Sequence, residues 1–167
     1  MDYIIREIER DEYELLDDFL YHAIFVPEGT APPPLSVIRE PDLQVYVEGF
    51  GRDEHDKALV AEADGKLIGA VWVRIMNDYG HVDDETPSFA ISLYPRYRGM
   101  GIGTAMMLRM LALLKESGCR KASLSVQKAN YAVRLYEKLG FKVVHENADE
   151  YIMVKLLDGS QAINDRS

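Results

Sequence analysis

The sequence holds one cysteine, Cys119, in 167 residues. An internal disulfide is thereby excluded, and with neither a CxxC pair nor a Cys/His cluster of zinc spacing, so are the common structural metal sites. A lone thiol fits a reducing compartment, so a cytoplasmic location is expected. Positive charge is also short: 19 Lys and Arg stand against 28 Asp and Glu, a formal net charge of -9. That balance disfavours contact with phosphate backbones and anionic membrane surfaces, and neither a nucleic-acid nor a membrane partner is expected. No apolar run approaches the ~18 residues of a membrane span, and "MDYIIREIERDEYELL" lacks the basic region and apolar core of a leader. His22, His55, His81 and His145 are scattered without ligand spacing, so no metal is expected.

What remains is an ordinary globular balance, 47% hydrophobic and 28% charged, in a chain long enough for one domain with a real core. We assign that domain to residues 1–157 and a polar tail to 158–167. Tyr3 to Ile8 alternates as a half-buried strand. Asp11 then suits the N-cap of a helix carrying Leu15, Leu16, Phe19, Leu20 and Ala23 and ending near Pro27. "PEGTAPPPLSVIREP" reads as an ordered loop or short helical turn, and "DLQVYVEGFG" as a short helix stopped by Gly49 or Gly51. "KALVAEA" and "KLIGAVWVRIM" are strands joined by Asp64-Gly65, a dipeptide suited to a type I′ hairpin. After the acidic loop "NDYGHVDDET" come a strand over Ser88–Tyr94, a helix over Gly101–Ser117, the strand "KASLSV", a helix over Ala129–Leu139, and the strands "FKVVHE" and "EYIMVKL". This order predicts a mixed α/β (α+β) sheet with helices on both faces.

The segment "SLYPRYRGMGIGTAMML" sets three glycines at the start of a helix. A helix N-terminus offers unpaired N–H groups and the positive end of the helix dipole, and glycines let a ligand approach the backbone. Gly99 to Thr104 is therefore a credible anion cradle. It is not a Walker loop, because Gly103 is followed by Thr104 with no lysine, and its glycine spacing does not fit a dinucleotide fingerprint. The same glycines would also serve a plain strand-to-helix turn.

Arg98-Gly99-Met100-Gly101-Ile102-Gly103 resembles the Arg/Gln-x-x-Gly-x-Gly/Ala signature of the GNAT superfamily of acyl-CoA-dependent N-acetyltransferases. Downstream, "SVQKANYAVRLYEKLGF" is similar to that family's second signature. The resemblance implies a mainly antiparallel sheet of about seven strands, with the fourth and fifth splayed apart. It implies acetyl-CoA as cosubstrate and an amine-bearing small molecule, peptide or protein as acceptor. Homodimers are common in the family. By resemblance, the amides of Gly99, Met100, Gly101, Ile102, Gly103 and Thr104 hold the pyrophosphate, and backbone groups of Ile91, Ser92 and Leu93 pair with the pantetheine. Arg98 is a cation beside the cradle, with a surface salt bridge as its bland alternative. Asn130 contacts the cofactor arm or caps its helix.

Tyr136 matches the family's usual general acid, and a phenol of pKa about 10 is protonated at neutral pH and able to donate to a thiolate. The amine must also lose a proton. The fifth strand has no carboxylate, so Glu85, in the acidic trio Asp83, Asp84 and Glu85, is the expected base, with a solvated acidic loop or a water chain as alternatives. That loop would also attract a cationic acceptor. Tyr21, His22 and Phe25 are candidates for the acceptor wall. Cys119 is expected to be a buried small residue, not a nucleophile. A non-catalytic acyl-CoA-binding module is the competing function, and the proton donor at Tyr136 favours the enzyme.

Overall fold

Asp64 and Gly65 adopt the geometry their chemistry predicts. In the computed structural model, which describes residues 2–76 and 81–157, both lie at positive φ, 52° and 76°, as a tight hairpin between right-twisted strands requires. They join β2 (Lys57–Ala63) to β3 (Lys66–Arg74). β1 (Ile4–Glu7) pairs with β2 on the outside, and β4 (Ser88–Leu93) with β3 on the inside. The other half of the sheet is β5 (Lys121–Gln127), β6 (Lys142–Glu146) and β7 (Glu150–Leu156). The order is β1-β2-β3-β4-β5-β7-β6, and β4 with β5 is the parallel pair in an otherwise antiparallel sheet. This is the mixed, mainly antiparallel seven-stranded architecture expected.

Helices cover both faces. On one lie α3 (Ile102–Glu116) and α4 (Ala132–Lys138), whose Met106, Met110, Leu114 and Tyr136 pack with Val71, Phe141 and Met153. On the other lies α1 (Leu16–Ala23), where Leu16, Phe19 and Leu20 bury Val60 and Trp72. The first helical segment begins earlier than its sequence suggests. A 3-10 turn over Arg10–Leu15 precedes α1, and Glu9, not Asp11, is its cap. The reason is a reciprocal contact: the Glu12 carboxylate accepts from the Glu9 amide at 2.9 Å, while Arg6 of β1 grips the same carboxylate at 2.8 Å and Glu62 at 2.9 Å. The proline-rich stretch holds a 3-10 turn over Leu35–Arg39, and the Tyr21 hydroxyl donates to the Pro33 carbonyl at 2.6 Å.

A short helix, α2 (Pro41–Gln44), starts with Pro at its first turn and continues into turns through Gly49 and Gly51, both at positive φ. Side chains of β3 hold this segment by its carbonyls, which a short helix leaves without partners. Trp72 donates from Nε1 to Tyr46 O at 3.0 Å. Arg74 donates to Val45 O at 3.2 Å and Glu48 O at 2.8 Å, and pairs with Asp56 at 3.1 Å. Asp56 is almost fully buried, its side chain 1% exposed, and accepts in addition from the Gly51 amide at 2.9 Å. Among the described residues no helix is long and apolar enough to cross a membrane. The start of the acidic loop, residues 77–80, and the expected polar tail, residues 158–167, lie outside the described residues.

Removing one member of a buried, hydrogen-bonded ion pair leaves an uncompensated charge. Asp56→Ala is expected to lower unfolding free energy by about 3–5 kcal/mol, checked by urea unfolding against wild type; a loss below about 1 kcal/mol would show that Arg74 finds equivalent partners.

Candidate active site

The sheet opens where β4 meets β5. These strands share one register contact, Ser88 with Ser123. There the Ser123 amide donates to Pro87 O at 3.0 Å, and the two buried serine hydroxyls lie 3.0 Å apart. Beyond that point β4 runs on to Leu93 and β5 to Gln127 without further register pairs between described residues. Alternation along the β3–β4 ladder shows which backbone groups face the gap. The Tyr94 amide donates to Ile68 O at 3.0 Å, so Tyr94, Ser92 and Ala90 turn their backbone toward β3. Phe89, Ile91 and Leu93 therefore turn theirs toward the gap. Of the expected docking edge, Ile91 and Leu93 have the required orientation. Ser92 does not: its backbone faces β3, and its hydroxyl is buried with no hydrogen-bond partner.

The glycine turn follows at the end of β4. A 3-10 turn over Pro95–Tyr97 leads to Arg98, and Gly99 and Gly101 lie at φ 79° and 83°. A Cβ at either would meet nothing within 4 Å, so it is the left-handed backbone, not crowding, that demands glycine there. Gly101 is the N-cap of α3, and the Ala105 amide donates to its carbonyl at 3.1 Å. The amides of Ile102, Gly103 and Thr104 precede that first intrahelical bond and remain for a ligand. Gly103 has no positive φ; a Cβ on it would come within 3.6 Å of Leu93 and 4.0 Å of Ile91, so its missing side chain keeps the mouth of the gap open. Met100 is exposed on the turn. Arg98 donates from Nε to Leu93 O and from Nη2 to His22 O, both at 3.0 Å. Its guanidinium fastens the turn to the end of β4 and to α1.

Inside the gap is a cleft of about 230 Å³ lined from both faces of the sheet. From the α3/α4 side come Phe89, Ile91, Met107, Val126, Asn130 and Tyr136; from the α1/α2 side come Leu20, Phe25, Leu43, Tyr46, Ser125, Gln127 and Glu150. Tyr136 is 9% exposed, and burial pushes its phenol up to about 12. It is a neutral proton donor at any physiological pH. The Asn130 side-chain oxygen accepts from the Ala132 amide at 2.9 Å, which is the helix-start role anticipated for it, and its amide nitrogen can donate to a ligand.

Glu85 does not join this group. It lines a separate depression with Asp83, Cys119 and Lys121 at the other end of β4 and β5. Both strands run from that end toward the cleft, and from Ser88 to Ile91 alone the strand adds ~10 Å. Asp83 and Glu85 are thus placed away from the cleft. Asp83 serves its own loop, held below the ordinary carboxylate range by the Thr86 hydroxyl and the Glu85 amide. Cys119 lies half-buried there, its thiol pushed up by burial. Of the expected acceptor wall, Phe25 lines the cleft, Tyr21 pins the proline-rich loop, and His22 packs edge-on against Tyr94. The contributions of Leu43, Tyr46, Gln127 and Glu150 were not evident from sequence. Gln127 and Glu150 meet only through the β5–β7 register.

A gap through a sheet, an anion-ready helix start at its mouth and a buried phenol within suit a long ligand that is anionic at one end and reactive at the other. Comparison with known proteins supplies the family. Residues 6–141 match the family described as Acetyltransferase (GNAT) family. An acetyltransferase of Pectobacterium atrosepticum is 33% identical over 105 residues, 62% of this chain and 70% of that protein. The [ribosomal protein bS18]-alanine N-acetyltransferase of Haemophilus influenzae is 37% identical over 68 residues, 41% of this chain and 47% of that one. In fold, the chain is similar to the PaiA N-acetyltransferase of Thermoplasma acidophilum, solved with coenzyme A, at a TM-score of 0.68 and 22% identity, over 93% of this chain and 99% of the other. The chain belongs to the GNAT family of acetyltransferases. It is an acyltransferase, and its glycine turn and LYEKLGF segment both lie within the matched residues.

Because the folded state raises the Tyr136 pKa above the ordinary value of about 10, the burial of the neutral phenol contributes fully below pH 10 and is lost as pH rises toward about 12. Tyr136→Phe, which cannot ionise, should therefore gain on wild type by about 2 kcal/mol between pH 9 and 12, measured as the difference in urea midpoints; parallel curves would show that the phenol is solvated.

Proposed function

We propose that the protein transfers an acetyl group from acetyl-CoA to a primary amine by direct attack, without an acyl-enzyme. The observation that carries this reading is the path from the glycine turn, along the gap-facing backbone of Ile91 and Leu93, to Tyr136 in the cleft. The amides of Gly99 to Thr104 would hold the pyrophosphate, with Ile102, Gly103 and Thr104 contributing at the helix start. Ile91 N–H and C=O and Leu93 N–H would pair with the pantetheine amides as an added strand would. The Leu93 carbonyl is occupied by Arg98, so Arg98 acts on the cofactor by shaping the turn. Asn130 would donate to the arm near its thioester end. The relative from Haemophilus influenzae is, by its name, an N-acetyltransferase acting on an alanine of ribosomal protein bS18, which supports an amine as the acceptor class.

In the transfer, the amine lone pair attacks the thioester carbonyl, a nitrogen–carbon bond forms, and the carbon–sulfur bond breaks. The departing thiolate takes the proton of Tyr136, and the proton lost from the amine nitrogen restores the phenol, so that one amide and one thiol result. The raised pKa of the phenol keeps that proton in place until the thiolate appears. Nothing in the cleft requires a nucleophilic side chain, and the protein's one cysteine lies in the other depression. Its half-buried thiol fits a reducing, cytoplasmic setting.

Two variants test the reading. Gly103→Glu needs no left-handed backbone and directs a carboxylate toward Leu93 and Ile91; acetyl-CoA affinity by titration calorimetry should fall at least about a hundredfold. Tyr136→Phe should keep acetyl-CoA affinity while lowering turnover, followed by thiol release, by about 10²–10³. Undiminished turnover in Tyr136→Phe would remove the phenol from the mechanism, and a folded wild type that ignores acetyl-CoA would end the proposal.

A further inference from the structure

Leu93 ends β4 at the mouth of the gap, and its side chain lies between two glycines. Toward β3, a Cβ on Gly69 would stand 2.6 Å from Leu93 Cδ2 and 3.2 Å from its Cγ. Toward α3, a Cβ on Gly103 would stand 3.6 Å from Leu93 Cδ1. The first distance is far inside van der Waals contact, so Leu93 fills the space that a side chain at position 69 would take. Gly69 and Leu93 are register partners. The Tyr94 amide bonds to Ile68 O, which makes the next pair, Gly69 with Leu93, the non-hydrogen-bonded kind whose side chains stand closest.

A bulge prepares this seat. Ala61 pairs with Gly69 and Glu62 with Leu67, so Ile68 is an extra residue on β3. Alternation shifts there: Leu67 and Ala70 pack on the α1 side of the sheet, Ile68 and Val71 on the α3/α4 side. Ile68 and Gly69 therefore share the α3/α4 face. Ile68 is buried in the core, and Gly69 leaves the neighbouring place to Leu93. Gly69 is not at positive φ, so space, not backbone conformation, calls for glycine at this point.

We infer that Gly69 is a positioning residue for acetyl-CoA, whose missing side chain holds Leu93 back against β3 and clear of the glycine turn. This rests on the acetyltransferase reading above. A methyl group at position 69 drives Leu93 away from β3. The way out leads to Gly103, where 3.6 Å is already ordinary contact. The displaced side chain then covers the first turn of α3, whose amides the pyrophosphate needs, and crowds Ile91, 4.0 Å from the same Gly103 position. Arg98 holds Leu93 O at 3.0 Å, so the side chain gives way before the end of β4 does. Gly69 thus acts through Leu93.

The test is acetyl-CoA affinity by titration calorimetry for wild type, Gly69→Ala, Leu93→Ala and the double variant, with urea unfolding to confirm that each is folded. Gly69→Ala should weaken binding by about tenfold or more. The double variant should bind within about threefold of Leu93→Ala alone. That suppression separates positioning from a general loss of packing, because the Ser92 carbonyl, 2.9 Å from the same Cβ, is crowded in both proteins that carry Gly69→Ala. Leu93→Phe probes the seat without altering β3, and keeps the inference testable should Gly69→Ala fold poorly. Its ring is too large for the place beside Gly69 and should also weaken binding by about tenfold. Undiminished affinity in either Gly69→Ala or Leu93→Phe, or a loss in Gly69→Ala that persists in the double variant, overturns this inference and leaves the acetyltransferase reading standing. Failure of the folded wild type to bind acetyl-CoA overturns both.

Discussion

The site depends on one short contact, the pairing of β4 with β5 at Ser88 and Ser123. Each half of the sheet is closed by its own antiparallel ladders: β4 against β3 through six register pairs, β5 against β7 through seven. The two halves can therefore separate past Ser88 without loss of either ladder. A parallel pair that continued to Leu93 would bond the groups of Ile91 and Leu93 internally and fill the cleft with side chains. Stopping it after one pair leaves a sheet edge in the middle of the sheet, and an exposed edge is a template for an extended ligand.

Electrostatics follow from where the gap leads. At its mouth, two left-handed glycines and a helix start present N–H groups, and Arg98 spends its donors on carbonyls of β4 and α1. The turn's positive character thus comes chiefly from oriented backbone. In the interior, Tyr136 meets apolar neighbours such as Phe141, and desolvation keeps it protonated. A neutral donor on one face and a carboxylate on the other give the cleft a direction that neither residue has alone.

β3 connects these parts. It pairs with β4, so it fixes which backbone groups face the gap, and through Trp72 and Arg74 it holds the segment after α2 that carries Tyr46 into the cleft. The buried Arg74–Asp56 pair does not line the cleft, yet it braces the segment that forms one of its walls. Ser92, by contrast, is buried with an unpaired hydroxyl on β4, and the structure shows no role for it.

Much of this was readable in the chain because its causes are local. Asp64-Gly65 makes its hairpin by the φ values those residues tolerate, Gly99 and Gly101 mark a backbone that side chains resist, and the two signature segments announce the family within Ser88–Phe141. Hydrophobic alternation likewise placed every strand within a few residues. Other features depend on register and packing between distant segments, and no local pattern encodes them. Glu85 looked close to the chemistry because it precedes β4, but parallel strands carry it to the wrong end of the sheet. Glu150 carries no local signal in the sequence, yet the β5–β7 ladder sets it across from Gln127. By itself the sequence determined the fold class, the family and the glycine turn; only the tertiary structure decided which carboxylate reaches the cleft, because pairing across strands, not distance along the chain, sets which side chains meet.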